Sequence, residues 1–254
     1  MLGAHLEGPF LSPGFAGAHP RHLLSDDGRQ LTQLAALPAV RMVTVAPEVL
    51  SAPSVIAQLV ADGVVVSIGH SAATGTQAHA AFDEGARSLT HAFNAHRPIA
   101  SRDPGPLGAA LVREDTVLTV ITDGVHVAHD NLVLLDRLAA GRLALVTDSI
   151  VAAGMPDGGY RFGPLDVTVA GGRACLADGT LAGSVATMDV CVRVAAGIWG
   201  LEKALAAASR TPARLLGADG SGAVATGGPA DVVVLDDRLD VIETIIGGRT
   251  AFRR

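Results

Sequence analysis

The sequence VVVSIGHS, residues 64–71, carries the pattern that decides the fold. Its first part, Val64–Ile68, is apolar and β-branched, which predicts a strand buried on both faces, as in a parallel sheet. Gly69-His70-Ser71 follows directly, so an ionisable ring stands at the end of the strand. An Ala-rich stretch with helical periodicity comes next, at Thr76–Glu84. We therefore predict a strand and a helix with a histidine in the turn between them.

The same unit recurs along the chain. Five further apolar runs end in polar residues: Leu2–Leu6 before Glu7, Val40–Val45 before Pro47-Glu48, Ser88–Thr90 before His91, Val117–Ile121 before Thr122-Asp123, and Leu143–Val146 before Thr147-Asp148. Helical periodicity also marks Ala35–Leu37, Ser54–Asp62 and Asn131–Ala140. A (β/α)8 barrel places its chemistry at the C-terminal ends of its strands, whereas a doubly wound sheet uses one switch point. We predict an α/β fold of the TIM-barrel type, incomplete, with six strands visible.

The pattern changes after Asp148. Short strands are predicted at Tyr160–Phe162, Asp166–Val169 and Arg173–Leu176, and helices at Val185–Gly197, Leu201–Ala208 and Pro212–Leu216. The tail predicts a small β unit at Asp231–Leu235, Val241–Ile246 and Arg249–Phe252, with Gly247-Gly248 as a hairpin turn. We expect a barrel domain at 1–225, with a β excursion at 156–180, and part of a small β-sandwich at 226–254.

Composition narrows the functional classes. The chain has 254 residues, 49% of them hydrophobic, and a net charge of −6, which argues against nucleic-acid or membrane partners. Its two cysteines, Cys175 and Cys191, show no disulfide or metal spacing, so a reducing compartment is expected. Without a signal-peptide pattern or an apolar run of about 18–20 residues, we expect a cytoplasmic protein.

Glu7, His70 and His91 follow three different strands and should meet at one mouth of the barrel. Two histidines and a carboxylate form a known ligand set for catalytic zinc, which makes hydroxide available at neutral pH. The alternative is structural: His70 caps the following helix and His91 is a satisfied core histidine.

Two aspartates are candidates for the general base. Asp148 and Asp123 each close a strand, and either carboxylate beside a metal-bound water can take its proton. The spacing does not choose between them, and either can also cap the next segment.

Softer signals come from polar loop residues. Arg102 and His126 can bind an anionic group, or they can be solvated loop residues. Asn94 can hold a polar substrate group or cap a turn. His19 can polarise a carbonyl, although alone it is more typical of a surface loop.

Together these stretches resemble the N-acetylglucosamine-6-phosphate deacetylase family of the amidohydrolase superfamily. The matching pieces run in family order: HLEGPF (5–10), GAHP (17–20), VAPE (45–48), SIGHS (67–71), THAFNA (90–95), SRDPG (101–105), DGVHV (123–127), LVTDS (145–149) and LAGS (181–184). The end, PADVVVLD with its Gly-Gly hairpin, resembles the superfamily's C-terminal sandwich piece.

The resemblance implies roles for single residues. Glu7, His70 and His91 would hold one divalent metal ion, zinc first, with Fe2+ or another divalent ion also acceptable. Asp148, rather than Asp123, would be the general base and acid, and His19 would help to polarise the acetamide carbonyl. Arg102 and His126 would take the sugar phosphate across a homodimer interface, and Asn94 and the Ala95 backbone would also face the phosphate. A loop of Leu181, Ala182 and Gly183 would close over the sugar and acetyl group.

Two departures accompany the resemblance. His96 stands where the family usually has methionine, and it either repacks the edge of the site or adds a polar contact. The family's first two barrel strands have no counterpart, which predicts a truncated chain. The expected reaction is hydrolysis of the acetamide of N-acetylglucosamine 6-phosphate. The alternatives are an N-acetylgalactosamine 6-phosphate or other N-acyl substrate, and a non-catalytic fragment.

Overall fold

A curled sheet of six parallel strands forms the centre of the computed structural model, which describes residues 2–51, 54–218 and 220–254. The strands pair in chain order, each with the next. They are β1 (Ala4–Glu7), β2 (Val40–Val45), β3 (Val65–Ile68), β4 (Ser88–Leu89), β5 (Val117–Ile121) and β6 (Leu143–Val146). All six lie where the sequence predicts them. Sequential parallel order is that of a (β/α)8 barrel and not of a doubly wound sheet.

Helices cover the outer face of this sheet. The first five are α1 (Gly28–Ala35), α2 (Val55–Ala61), α3 (Gly75–Asp83), α4 (Gly105–Leu111) and α5 (His129–Leu138). Three more follow the β excursion: α6 (Met188–Trp199), α7 (Leu201–Ala208) and α8 (Arg210–Leu215). Strand and helix side chains such as Leu59, Leu118 and Leu132 are fully buried between the layers. The Trp199 indole N–H in this core donates to the Leu132 carbonyl at 3.0 Å.

Two helix predictions need correction. The first helix lies at Gly28–Ala35 rather than at Ala35–Leu37, because Asp27 accepts the Arg29 N–H and so caps an earlier start. Helix α4 has no counterpart among the predicted helices, since its sequence GPLGAAL contains two glycines and a proline. Its residues Gly105–Ala110 are buried, so packing against the sheet stabilises a segment of low helix propensity.

The β excursion is a four-stranded antiparallel sheet with its own small core. It comprises β7 (Gly158–Phe162), β8 (Leu165–Ala170), β9 (Arg173–Cys175) and β10 (Leu181–Ser184). Its core includes Val167, Val169 and Ala174. Strand β10 begins at Leu181, directly after the excursion predicted at 156–180.

The tail forms a three-stranded antiparallel sheet, as predicted. Its strands are β11 (Val232–Leu235), β12 (Val241–Ile246) and β13 (Arg249–Arg253). Gly247 and Gly248, with φ of 55° and 76°, make the turn between the last two. Arg193 on α6 ties this sheet to the barrel helices, since its guanidinium contacts Asp240 at 2.5 Å and the Arg238 carbonyl at 3.0 Å. The domain boundary at 225/226 stays a prediction.

Among the described residues, no helix is both long enough and apolar enough to span a bilayer.

Candidate active site

Three side chains converge at the C-terminal ends of the barrel strands. Glu7 is the last residue of β1, and His70 and His91 follow β3 and β4. Glu7 Oε1 lies 3.3 Å from His70 Nε2 and 3.2 Å from His91 Nε2, and the two Nε2 atoms are 3.0 Å apart. One ligand atom from each residue falls within 4.8 Å of the others. The sequence-based triad is therefore a spatial cluster, and both rings are buried.

Backbone carbonyls orient both histidine rings. His70 Nδ1 lies 2.7 Å from the Phe15 carbonyl oxygen, and His91 Nδ1 lies 3.1 Å from that of Asn94. Each Nδ1–H therefore donates outward, and each Nε2 lone pair points into the cluster. Two nitrogen lone pairs and a carboxylate then face one another with no donor between them. Such an all-acceptor set fits a divalent cation.

Neither structural alternative accounts for these histidines. Helix α3 is capped by Thr74, whose side chain accepts the Gln77 N–H in a complete capping box, so His70 is not the cap. His91 is buried, but its Nε2 faces His70 and Glu7 rather than the apolar core.

Charge in the cluster is strongly coupled. Burial would raise the pKa of Glu7, but the neighbouring His70 and His91 rings, as donors and positive charges when they are protonated, outweigh it and hold that pKa far below its ordinary range. Burial would lower the pKa of His91, but the nearby charges of Glu7 and Asp148 raise it instead. The site is therefore built around an ionised carboxylate and favours positive charge beside it.

The backbone of the site is strained. Five non-glycine residues there have left-handed conformations: His70 (φ 48°), His91 (φ 28°), Phe93 (φ 75°), Ala95 (φ 50°) and Asp148 (φ 51°). Each such residue costs on the order of 1–3 kcal/mol and persists only where its surroundings fix it. Most of the left-handed non-glycine residues in the described parts of the chain thus belong to this one site.

The contacts of the two aspartates differ. Asp123 Oδ2 lies 2.7 Å from His126 Nδ1, and its Oδ1 accepts the N–H groups of Val125 and His126, each at 2.9 Å. Burial would raise the pKa of Asp123, but these hydrogen bonds lower it. Asp148 is half-buried after β6, and its charge acts on His91. Asp123 therefore hydrogen-bonds within its own turn, whereas the charge of Asp148 helps to raise the pKa of His91.

His19 belongs to the site rather than to an outlying loop. Its Nε2 lies 3.8 Å from Glu7 Oε2, and its ring meets that of His70 edge-on, with centroids 4.9 Å apart. Its Nδ1 lies 3.0 Å from the Ala16 carbonyl oxygen. The structure therefore places His19 beside the triad.

The predicted anion-binding residues lie on the loops around the cluster. His126 is held by Asp123, with its side chain 5% exposed. Arg102 is exposed on the loop before α4 and hydrogen-bonds to nothing in the ranges described. The Asn94 side chain donates to the Ala92 carbonyl at 3.3 Å, and the Ala95 carbonyl accepts the Ser71 N–H at 3.1 Å.

The predicted loop Leu181–Gly183 is instead part of strand β10. Ser184 N–H donates to the Asp148 carbonyl at 2.7 Å, and Ile150 N–H donates to the Ser184 carbonyl at 3.0 Å. Gly183 has φ 97°, and a Cβ there would lie 2.7 Å from the Asp148 backbone carbonyl oxygen. The segment is extended because Leu181 and Ser184 pair with β9 and Ser184 also bridges to Ser149 after β6.

His96 adds a polar contact. It is 8% exposed, and its Nε2–H donates to the Thr90 carbonyl at 2.6 Å, while its Nδ1 has no partner among the described residues. Burial, with help from the charge of His91, lowers the pKa of His96 to about 3. His96 is therefore a neutral ring that braces the loop after β4.

Comparison with known proteins agrees with this geometry. The model of the amidohydrolase family matches residues 2–251. The chain belongs to the amidohydrolase family. Its sheet is accordingly an incomplete TIM barrel of the amidohydrolase type.

This amidohydrolase has named relatives. It is 42% identical over 269 residues to human N-acetylglucosamine-6-phosphate deacetylase, covering 100% of this chain and 65% of the human protein. N-acetylgalactosamine-6-phosphate deacetylase of Escherichia coli O157:H7 is 40% identical over 257 residues, covering 99% and 68%. The chain thus spans about two thirds of the length of these relatives.

A solved structure has the same fold. A mutant N-acetyl-D-glucosamine-6-phosphate deacetylase from Mycobacterium smegmatis, in complex with N-acetyl-D-glucosamine-6-phosphate, matches with a TM-score of 0.94 and 42% identity. The match covers 98% of this chain and 68% of that one.

A polar layer beneath the cluster of this amidohydrolase was not predicted from sequence. His5 Nε2 lies 2.7 Å from Thr44 Oγ1, which lies 2.8 Å from Thr90 Oγ1, and Ser67 Oγ lies 2.7 Å from the same Thr90 atom. These residues cross-link β1, β2, β3 and the end of β4 below the ligands. The available signal was a polar residue within four of the predicted strand runs, namely His5, Thr44, Ser67 and Thr90.

Proposed function

We propose that this amidohydrolase hydrolyses the acetamide of N-acetylglucosamine 6-phosphate, giving glucosamine 6-phosphate and acetate. The observation that carries the proposal is the cluster of Glu7, His70 and His91, with ligand atoms within 4.8 Å of one another. Its support in the comparisons is the M. smegmatis deacetylase, whose structure holds that substrate.

Glu7, His70 and His91 would hold one divalent metal ion, with zinc as our first choice and Fe2+ as the main alternative. When bound, such an ion supplies Lewis acidity and lowers the pKa of a water molecule. The outward Nδ1–H bonds of the histidines to Phe15 and Asn94 keep both rings in the tautomer that binds metal.

Asp148 would act as the general base and then as the general acid. Its carboxylate takes a proton from the water that attacks the acetamide carbon and later gives a proton to the departing amine nitrogen. His19 would donate from Nε2 to the developing oxyanion. Because its Nδ1–H is already given to Ala16, that donation requires the imidazolium form, whose charge Glu7 offsets from 3.8 Å.

Substrate binding would use the loops around the mouth. Arg102 and His126 carry the sugar phosphate, together with Asn94 and the Ala95 backbone. Leu181, Ala182 and Gly183 line the side that faces the acetyl group. We also propose that the protein is a homodimer, in which a second subunit completes the phosphate site to which exposed Arg102 contributes. The proposed location is the cytoplasm.

The test is acetate release from N-acetylglucosamine 6-phosphate by the purified 254-residue chain with zinc. We expect release that is lost in Glu7→Ala and retained in the exposed control Glu84→Ala. No release by the wild-type chain, or unchanged release by Glu7→Ala, would reject the proposal and favour a non-catalytic chain.

The second candidate substrate is N-acetylgalactosamine 6-phosphate, favoured by the E. coli relative of that name at 40% identity. The two sugars differ in one hydroxyl configuration. Comparing kcat/KM for the two epimers decides between them, and we expect the glucosamine form to be preferred.

A further inference from the structure

We infer that Glu48 is a positioning residue that fixes His70, and through it His91, in the geometry that binds metal. The inference rests on the metal site proposed above. Glu48 lies in the short 3-10 turn Pro47–Val49 after β2 and is not itself a member of the ligand cluster.

The Glu48 carboxylate grips the turn that follows His70. Its Oε2 accepts the Ser71 hydroxyl at 2.7 Å, and its Oε1 accepts the Ala72 N–H at 2.6 Å. Ser71 is fully buried, and its Oγ also accepts the Ala73 N–H at 3.0 Å. Both carboxylate oxygens therefore accept hydrogen bonds from Ser71 and Ala72, the two residues directly after the metal-ligand candidate His70.

The same turn is tied to the loop that carries His91. Ser71 N–H donates to the Ala95 carbonyl at 3.1 Å, and Arg97 N–H donates to the Ser71 carbonyl at 2.9 Å. The loop also supplies the Asn94 carbonyl that orients the His91 ring. The Glu48 carboxylate, in the turn after β2, therefore restrains the chain next to both His70 and His91.

A clamp of this kind has a physical purpose. His70 and Ala95 both have left-handed backbones, with φ of 48° and 50°, which relax unless neighbouring contacts over-determine them. Charge-assisted hydrogen bonds to an ionised carboxylate are the strong kind and are directional. Glu48 thus holds the His70 turn in a conformation that the local sequence alone disfavours.

The test compares Glu48→Ala and Glu48→Gln with the wild-type chain. Zinc affinity is measured by competition with a chromophoric chelator, and ligand geometry by the visible absorption of the Co2+-loaded protein. We expect Glu48→Ala to lose about 10–100-fold in zinc affinity, as is usual when a partner of a metal ligand is removed, and to change the Co2+ spectrum.

Glu48→Gln should recover most of that affinity. Its Oε1 can accept the Ala72 N–H, and its amide can donate to Ser71 Oγ, which has lone pairs to receive it. A residue that only stabilises the fold would show parallel losses of melting temperature in the metal-free protein without a change in zinc affinity. Ser71→Ala removes one of the two contacts and serves if Glu48→Ala does not fold, with a several-fold loss of affinity expected.

The matched control is Glu84→Ala, an exposed carboxylate at the end of α3, which should leave zinc affinity unchanged. Wild-type affinity and spectrum in Glu48→Ala would overturn the inference about Glu48. A different result tests the metal site itself: zinc binding by His70→Ala as tight as by the wild-type chain would reject that site, whatever Glu48 does.

Discussion

Asp148 and Asp123, which the spacing leaves equivalent, differ in their contacts. Both close a strand in the sequence, and the Asp123 carboxylate is then used by His126 and two backbone N–H groups. The triad of Glu7, His70 and His91 was predictable, because parallel strand ends meet at one edge. The place of His19 in the site came only from the family resemblance, since the local sequence holds no signal for how the loop after β1 folds back.

Asp148→Asn should lower turnover by about 10²–10⁴-fold while zinc content stays near that of the wild-type chain, because the proton acceptor is lost and the ligands remain. Asn tolerates the left-handed backbone at this position, φ 51°, so the fold should be kept. The measurement is acetate release with zinc quantified in the same sample. The exposed control Asp178→Asn should match the wild-type chain, and unchanged turnover in Asp148→Asn would remove the proposed role.

Asp123 predicts a pH dependence of stability. Its pKa is lowered in the folded state, so its carboxylate stabilises the fold fully above the unfolded value of about 4. That contribution is lost as pH falls through the lower folded pKa. The free energy of unfolding in urea should therefore differ between the wild-type chain and Asp123→Asn at pH 6, and the difference should shrink below pH 4. The exposed control Asp26→Asn should show no such change, and a pH-independent difference for Asp123→Asn would contradict the assignment.

At the scale of elements, strands were predicted better than helices. The six barrel strands follow from continuous apolar runs, which a sheet buried on both faces requires. Helix α4 depends on a partner distant in sequence, the sheet beneath Gly105–Ala110, and strand β10 pairs both with β9 and with the chain around Asp148. Local patterns carry no information about such partners.

Gly69 lies between the end of β3 and His70, and its surroundings are closely packed. A Cβ at Gly69 would lie 2.4 Å from Thr44 Cγ2 and 2.8 Å from Thr90 Cβ, inside the polar layer. Gly69→Ala should therefore destabilise the metal-free protein by about 1–3 kcal/mol in urea unfolding, as overpacking does. Gly197→Ala in α6 is the control: it meets nothing within 4 Å and should be neutral or stabilising. Equal stability of the two variants would show that the layer accommodates a methyl group.

At the scale of the whole molecule, the tail sheet depends on few contacts with the barrel. Its strands expose Val233, Ile246 and Phe252, and Arg193 is the link described above. The sequence predicted the strands and their Gly-Gly turn, because hairpin signals are local. It held no sign that an arginine on α6 would anchor them.

Arg193→Ala should loosen this sheet without unfolding the barrel. Hydrogen exchange followed by mass spectrometry should rise in residues 232–253 and stay unchanged in β2 and β5. Lys203→Ala, which removes a pair with Asp136 at 2.7 Å within the barrel helices, is the control and should leave 232–253 unchanged. Protection that persists in Arg193→Ala would mean that apolar packing alone holds the sheet.

The left-handed residues around the histidines also set a direction for laboratory evolution. Glycine or asparagine at 95 would relieve the backbone at little steric cost, so selection for heat tolerance alone rewards such a change. The loop that relaxes is the one that orients His91. Thermostable variants obtained without a functional screen are therefore expected to gain stability and lose metal affinity together.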